Sequence, residues 1–321
     1  MNKIQKNKIG IIIPYFGNLP NYFPFFLKGC EFNTDIIDIH FIHDREITFE
    51  LPDNVIQHKI SLSEINKLAT DKTGLKININ NPYKLCDFKP VYGHIFENIL
   101  ESYEFWGYGD IDIIYGDLSK FFSELNLIKY DLFTFREYII SGALTVMRNN
   151  NYFKHLYKKS PQINQIFLNE KYCGFDEAAE KIAFCRKRTA AFSLFEIDNI
   201  ICWSSIVQKE FYDGNLNLYS KYELIEAISF NCIYTFSNGE LCMGMDEFVA
   251  YHLVTEKRIS RFVIPDWKVI PDNFYITPTG FYKRINIFYS IISGYRNIKY
   301  KADIFIKRIK ESIIYRLKLK K

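Results

Sequence analysis

The 321 residues suffice for one large α/β domain with an appendage, or for two small domains. With 48% hydrophobic and 24% charged residues the chain can bury a sizeable core, which excludes disorder as its organising principle. A net charge of only +4, without any recognised nucleic-acid module, argues against nucleic acid as a partner.

Apolar, β-branched runs bounded by turn residues predict strands over 9–13, 37–42 and 55–60. The first follows Lys3, Lys6 and Lys8 like a signal peptide, but it is short, ends at Pro14 and lacks a small-residue cleavage site. It therefore reads as a buried strand. The stretch 78–82 reads as a loop. After Pro90, the residues Val91, Ile95, Ile99 and Tyr103 recur at almost every fourth position and predict one helix lying on a sheet. Further strands are expected over 105–108, 131–135 and 143–147. Asp117 can cap a short helix with Leu118, Phe121, Phe122 and Leu125 turned inward. Asp176 and Glu177 stand where a helix is expected to begin, ahead of Ala178, Ala179, Ile182 and Ala183. Phe248, Tyr251 and His252 read as one face of another helix.

Past about residue 265 the composition shifts to Pro, Asn, Thr and Gly and then to a basic tail, so a domain over 1–265 and an extension over 266–321 are expected. From Arg296 to Lys321 the only acids are Asp303 and Glu311, and Ile306, Ile309, Ile313 and Leu317 recur at helical spacing. Such a basic amphipathic helix either rests peripherally on the anionic inner membrane or docks on the domain with its basic face solvated. No run of eighteen apolar residues predicts a spanning helix. The seven cysteines are scattered, odd in number and without a C-x-x-C pair, as expected for free thiols in a reducing cytoplasm.

Alternating strands and helices predict an α/β fold with a mainly parallel central sheet covered on both faces. Ligands of such sheets bind outside the carboxyl ends of the strands. Neither common phosphate-cradling glycine loop is present, so any nucleotide phosphates must be neutralised by other means. The aromatic content of 17% fits a large aromatic core, and aromatic faces also suit sugar rings.

The best candidate for chemistry is Phe105-Trp106-Gly107-Tyr108-Gly109-Asp110-Ile111-Asp112, an aromatic strand running into Asp-x-Asp. In extended chain, Asp110 and Asp112 project to one side, and two like charges there repel unless a cation joins them. A divalent ion can bridge them to the two phosphates of a nucleotide sugar and act as Lewis acid on the departing diphosphate. The bare motif is weak, since a chain this long contains roughly one by chance. Its place at a strand end is what raises it above a pair of solvated carboxylates at a strand-to-loop junction.

That segment, together with Lys84-Leu85-Cys86-Asp87-Phe88-Lys89-Pro90-Val91-Tyr92-Gly93, resembles a largely uncharacterised bacterial family from capsule and O-antigen clusters, viewed as GT-A-type glycosyltransferases. Shorter pieces fit too: Ser141 to Leu144 running to Arg148-Asn149, Cys173 to Glu177, and Glu247 with Tyr251-His252 leading to Lys257-Arg258. Gly109 and Ala143 depart from the pattern without touching the carboxylates. The resemblance implies a GT-A-like, Rossmann-type nucleotide-diphospho-sugar transferase domain, a nucleotide-sugar donor, a glycan or lipid-linked acceptor, and Mn²⁺ or Mg²⁺. Pro14, Tyr15 and Phe16 would hold the donor nucleotide, Asp44 its base or ribose, and Lys89 its diphosphate. Asp110 would bind metal or ribose, Asp112 metal, and His252 would complete the metal shell. Asp176 or Glu177 would take the proton from the acceptor hydroxyl. Each position also has a plain structural reading: strand exits, a loop lysine, helix-start acids, a satisfied histidine. Two other functions are compatible with the sequence. One is Mg²⁺-dependent nucleotidyl or phosphoryl transfer on the same carboxylates; the other is non-catalytic membrane binding through the basic tail.

Overall fold

The computed structural model describes residues 8–136, 140–177, 200–221, 223–226, 228 and 232–286, with eight scattered positions from 289 to 302. The helix expected after Glu177, the Arg186-Lys187-Arg188 run and most of the basic tail lie outside the described residues.

The first half supplies β1 (Ile9–Pro14), β2 (Ile37–His43), β3 (Val55–Lys59), β4 (Phe105–Gly109), β5 (Ile113–Tyr115), β6 (Leu132–Thr134) and β7 (Leu144–Arg148). Later come β8 (Leu218–Ser220), β9 (Leu224–Ile225), β10 (Tyr234–Ser237), β11 (Glu240–Met243), β12 (Asp246–Phe248), β13 (Ala250–His252), β14 (Asn273–Thr277) and β15 (Gly280–Tyr282). The central sheet runs β3-β2-β1-β4-β7-β6-β8, and only β7 opposes its neighbours. It is the expected α/β fold. Ile11, Ile13, Ile39 and Phe41 feed the core on one face, and Ile12, Ile42, Trp106 and Tyr108 feed the other. Continuous apolar runs are what a strand buried on both faces requires.

Helices pack over both faces of this sheet. Helix α1 (Phe23–Glu31) lies directly on β5, because a Cβ at Gly29 would fall 2.5 Å from the Tyr115 nitrogen. Helix α2 (Leu62–Thr73) starts in a capping box of Ser61 and Glu64 and stops at Gly74, whose φ of 71° suits glycine.

Three sequence expectations need correction. The stretch 91–103 is not one helix: a ten-residue 3₁₀ helix, Pro82–Val91, is followed by the short helices Tyr92–Ile95 and Glu97–Leu100. The helical run breaks at Phe96, with φ of -104° and ψ of 27°, while Gly93 within the first piece packs so closely on Trp106 that a Cβ would sit 2.2 Å from its ring. Asp117 caps no helix; its Oδ1 accepts from the Ser119 N–H at 2.8 Å in a local turn. The following helix, Glu124–Lys129, is capped by Ser123 instead, which leaves Leu125 79% exposed while Leu118, Phe121 and Phe122 are buried. Finally, 246–252 forms strands. β13 pairs with β5 and β9 in a three-stranded sheet, and β12-β11-β10-β14-β15 form a second, five-stranded one. Pairing therefore continues past residue 265, over a core of Phe25, Phe236, Phe274 and Phe281. Among the described residues no helix is long and apolar enough to cross a membrane.

Candidate active site

From β1 the chain moves outward through β2 and β3, then crosses back to place β4 on the other side of β1. Such a reversal of strand order opens a crevice at the carboxyl ends. β4 delivers Asp110 there, anchored by its N–H to the Ala143 carbonyl at 3.1 Å. The chain bends over Ile111 and Asp112 rather than staying extended, so the two carboxylates meet through a bend and not through strand alternation. The third group arrives from far along the sequence. β13 lies antiparallel to β5 with His252 opposite Ile113, and the Leu253 N–H donates to the Asp112 carbonyl at 2.8 Å. Asp110, Asp112 and His252 thus each offer a donor atom, all within 4.8 Å of one another. Two carboxylates and one imidazole form a donor set that suits Mn²⁺ or Mg²⁺, the nitrogen favouring manganese.

The surrounding charges have the signs such a site needs. Asp112 is only 5% exposed. Burial opposes its charge, but His252 and then Lys257 outweigh that and hold the carboxyl well below the usual range. Lys257 Nζ bonds to Asp112 Oδ2, and His252 Nε2 lies 3.5 Å from the same oxygen. An ammonium and an imidazolium thus stand in for a cation beside Asp112. Lys89 donates to Asp110 Oδ1 at 2.7 Å and to the Gly142 carbonyl at 3.0 Å. Burial works against the Lys89 charge, yet Asp110 and other acidic neighbours push its pKa well above the ordinary lysine value.

Asp176 and Glu177 part company here. Asp176 is buried, accepts from Tyr172 OH at 2.7 Å and lies 4.0 Å from Lys89; burial pushes its carboxyl up, against the pull of Lys89. The Glu177 side chain is 38% exposed, and its Oε1 accepts from the Gly142 N–H at 3.0 Å and faces Arg136 at 3.7 Å. Gly142 thus joins the Glu177 carboxylate to Lys89 and, through Lys89, to Asp110.

Beside the acidic group, a cleft of about 300 Å³ opens between the ends of β1 and β2, lined among others by Tyr15, Gly17, Phe41, His43 and Asp44. Tyr15 connects the two: its hydroxyl pKa is raised by burial and by Asp112. Asp44 is exposed at the rim, Pro14 closes β1, and Phe16 packs partly buried on the core. Sequence reasoning passed over His43, which is only 4% exposed and has no hydrogen-bond partner at either ring nitrogen. It also missed Arg136 and Glu226, which carry no local signal. Lys257 stood in the recognised pattern without a role.

The Asp112–His252 pair sets a pH dependence. Burial lowers the His252 pKa, but Asp112 and Glu226 outweigh it and push it up to about 9. A histidine raised above its unfolded value near 6.5 contributes stability that is complete below that value and fades as pH rises through about 9. The metal-free protein is therefore expected to lose on the order of 2–3 kcal/mol between pH 6.5 and 9.5, counted once for the pair. Chemical denaturation at both pH values checks this, with His252→Gln expected to flatten the dependence.

Residues 11–285 match the family of unknown function DUF6625. The chain belongs to that family. No curated protein matches the sequence. Among solved structures, mouse xyloside xylosyltransferase 1 in its apo form is similar at 11% identity over 46% of this chain and 71% of that one, with a TM-score of 0.30. The galactosyltransferase LgtC in complex with donor and acceptor sugar analogs shows 12% identity over 46% of this chain and 60% of its own, at 0.27. A glycosyltransferase involved in glycosylating the major capsid of PBCV-1 shows 11% identity over 68% of this chain and 84% of its own, at 0.28. Scores this low transfer no function to the DUF6625 chain, whose chemistry is argued from its own side chains.

Proposed function

We propose that the protein is a divalent-metal-dependent glycosyltransferase that moves a sugar from a nucleotide-diphosphate donor to a saccharide or lipid-linked acceptor. The observation that carries this reading is the convergence of Asp110, Asp112 and His252 beside the cleft at the ends of β1 and β2. These three would hold Mn²⁺ or Mg²⁺. When bound, the ion neutralises the donor diphosphate and supplies Lewis acidity as negative charge grows on the leaving group.

The chain's own residues divide the remaining work. Tyr15, His43 and Asp44 line the cleft for the nucleoside, where a turn of the His43 ring would bring one of its buried, unpaired nitrogens to a base or ribose. Lys257, which bonds to Asp112, would add positive charge at the donor diphosphate. Lys89 keeps Asp110 in place rather than binding phosphate itself, because Asp110 and the Gly142 carbonyl already engage its ammonium. Of the two acids after Phe175, Glu177 has the exposure needed to take a proton from an acceptor hydroxyl, while Asp176 is packed between Tyr172 and Lys89. Synthesis of bacterial capsule or O-antigen at the cytoplasmic membrane face is the biological setting we propose, following the resemblance in sequence.

A panel of nucleoside diphosphates, screened by thermal shift with and without Mn²⁺, tests the reading. The matching nucleotide should raise the unfolding temperature only with manganese, and His43→Phe should weaken its binding by about tenfold, the loss of one or two hydrogen bonds. No stabilisation by any nucleotide would contradict the proposal. Turnover releasing pyrophosphate rather than nucleoside diphosphate would assign the site to nucleotidyl transfer.

A further inference from the structure

His252 presents two ring nitrogens, and only one can face a cation held by Asp110 and Asp112. Its Nε2 lies 3.5 Å from Asp112 Oδ2, and its Nδ1 lies 3.5 Å from Glu226 Oε1. Strand register produces this placement. β9 runs parallel to β13 with Leu224 beside Ala250 and Ile225 beside Tyr251, so the next residues, Glu226 and His252, come abreast. Glu226 stands behind the ring and is not among the three residues whose donor atoms converge. Its carboxylate is held in turn. An Arg136 nitrogen bonds to Oε1, and the neighbouring Ile228 N–H is fixed on Glu256 at 3.0 Å.

We propose that Glu226 is a positioning residue for His252. This rests on the metal reading above. A carboxylate only accepts hydrogen bonds, so beside Nδ1 it selects the tautomer with the proton on Nδ1. The lone pair then sits on Nε2, the nitrogen beside Asp112 Oδ2. A hydrogen-bonded carboxylate also makes the imidazole a better ligand, and loss of such outer partners costs about 10–100-fold in metal affinity. Arg136 holds the Glu226 carboxylate through Oε1, the oxygen nearest His252 Nδ1. The same guanidinium lies 3.7 Å from Glu177, so the metal-side imidazole and the acceptor-side carboxylate share one support.

The test is binding of Mn²⁺ alone to the full chain, followed by loss of the free-ion electron paramagnetic resonance signal. Glu226→Leu removes the acceptor and should weaken binding by up to about a hundredfold; Glu226→Gln, which retains one amide acceptor, by about tenfold. Both effects should vanish in a His252→Gln background, because a residue acting through the ring has nothing left to act on. A merely structural role would add its loss to that of His252→Gln. Unchanged affinity in both Glu226 variants, or a loss that persists without His252, overturns the proposal. If Glu226→Leu does not fold, the Glu226→Gln pair of measurements decides alone. Failure of the wild-type chain to bind Mn²⁺ is a separate result: it removes the metal reading and this proposal with it.

Discussion

Asp112→Asn is expected to lower glycosyl transfer by at least about a thousandfold while the near-ultraviolet circular dichroism stays native. A metal ion at a developing diphosphate is worth several kcal/mol of transition-state charge stabilisation, and about 1.4 kcal/mol corresponds to each factor of ten. Asparagine preserves the shape of a side chain that is 5% exposed, so the backbone bond from Leu253 to residue 112 survives. Its amide cannot balance a divalent charge, and Lys257 loses its anionic partner. Asp117→Asn is the matched control. That carboxylate serves a local turn through the Ser119 N–H, and its loss should leave turnover within about twofold of wild type. Near-normal turnover in Asp112→Asn would contradict the assignment.

The second large effect concerns stability. Lys84 and Asp87 are both fully buried and 2.9 Å apart. A 3₁₀ helix turns once every three residues, so these two positions fall on one face of Pro82–Val91. The Lys84 ammonium also donates to the carbonyls of Ile166 at 2.6 Å and Lys171 at 2.9 Å, while Asp87 accepts from the N–H groups of Cys173 and Phe175, both at 2.8 Å. The pair therefore pins the strand of chain leading into Asp176 and Glu177. Burial pushes the Asp87 carboxyl up even against Lys84. Asp87→Ala leaves a fully buried ammonium without its counterion and should cost about 3–5 kcal/mol. The neutral pair Lys84→Met with Asp87→Leu should regain most of that, since an apolar replacement of a buried ion pair is often neutral. Equilibrium denaturation of both variants checks the order.

Much of the sheet was legible because its strands are rich in β-branched and aromatic residues and the inner ones are largely apolar. The segments at Ile9, Ile37, Val55, Phe105 and Leu144 all became strands of the central sheet. Asp110 and Asp112 were legible for a related reason: they follow directly on such a strand. What could not be read was long-range pairing. Phe248, Tyr251 and His252 are spaced as on a helix, yet hydrogen bonds from β5 and β9, each more than twenty residues away, make 250–252 a strand. The same pairing carries His252 to Asp112 and Glu226 to His252, and nothing local to Glu226 or Arg136 announces it. The period over 91–103 misled because it does not register the break at Phe96, whose φ of -104° and ψ of 27° leave the helical region between two short helices.

Anomalous diffraction from crystals grown with Mn²⁺ and a nucleoside diphosphate tests the central claim most directly. The account predicts one strong manganese peak bonded by a carboxylate oxygen of Asp110, one of Asp112 and Nε2 of His252, with Lys257 turned away from Asp112. A manganese peak elsewhere, with Lys89 still on Asp110 and Lys257 still on Asp112, would contradict it.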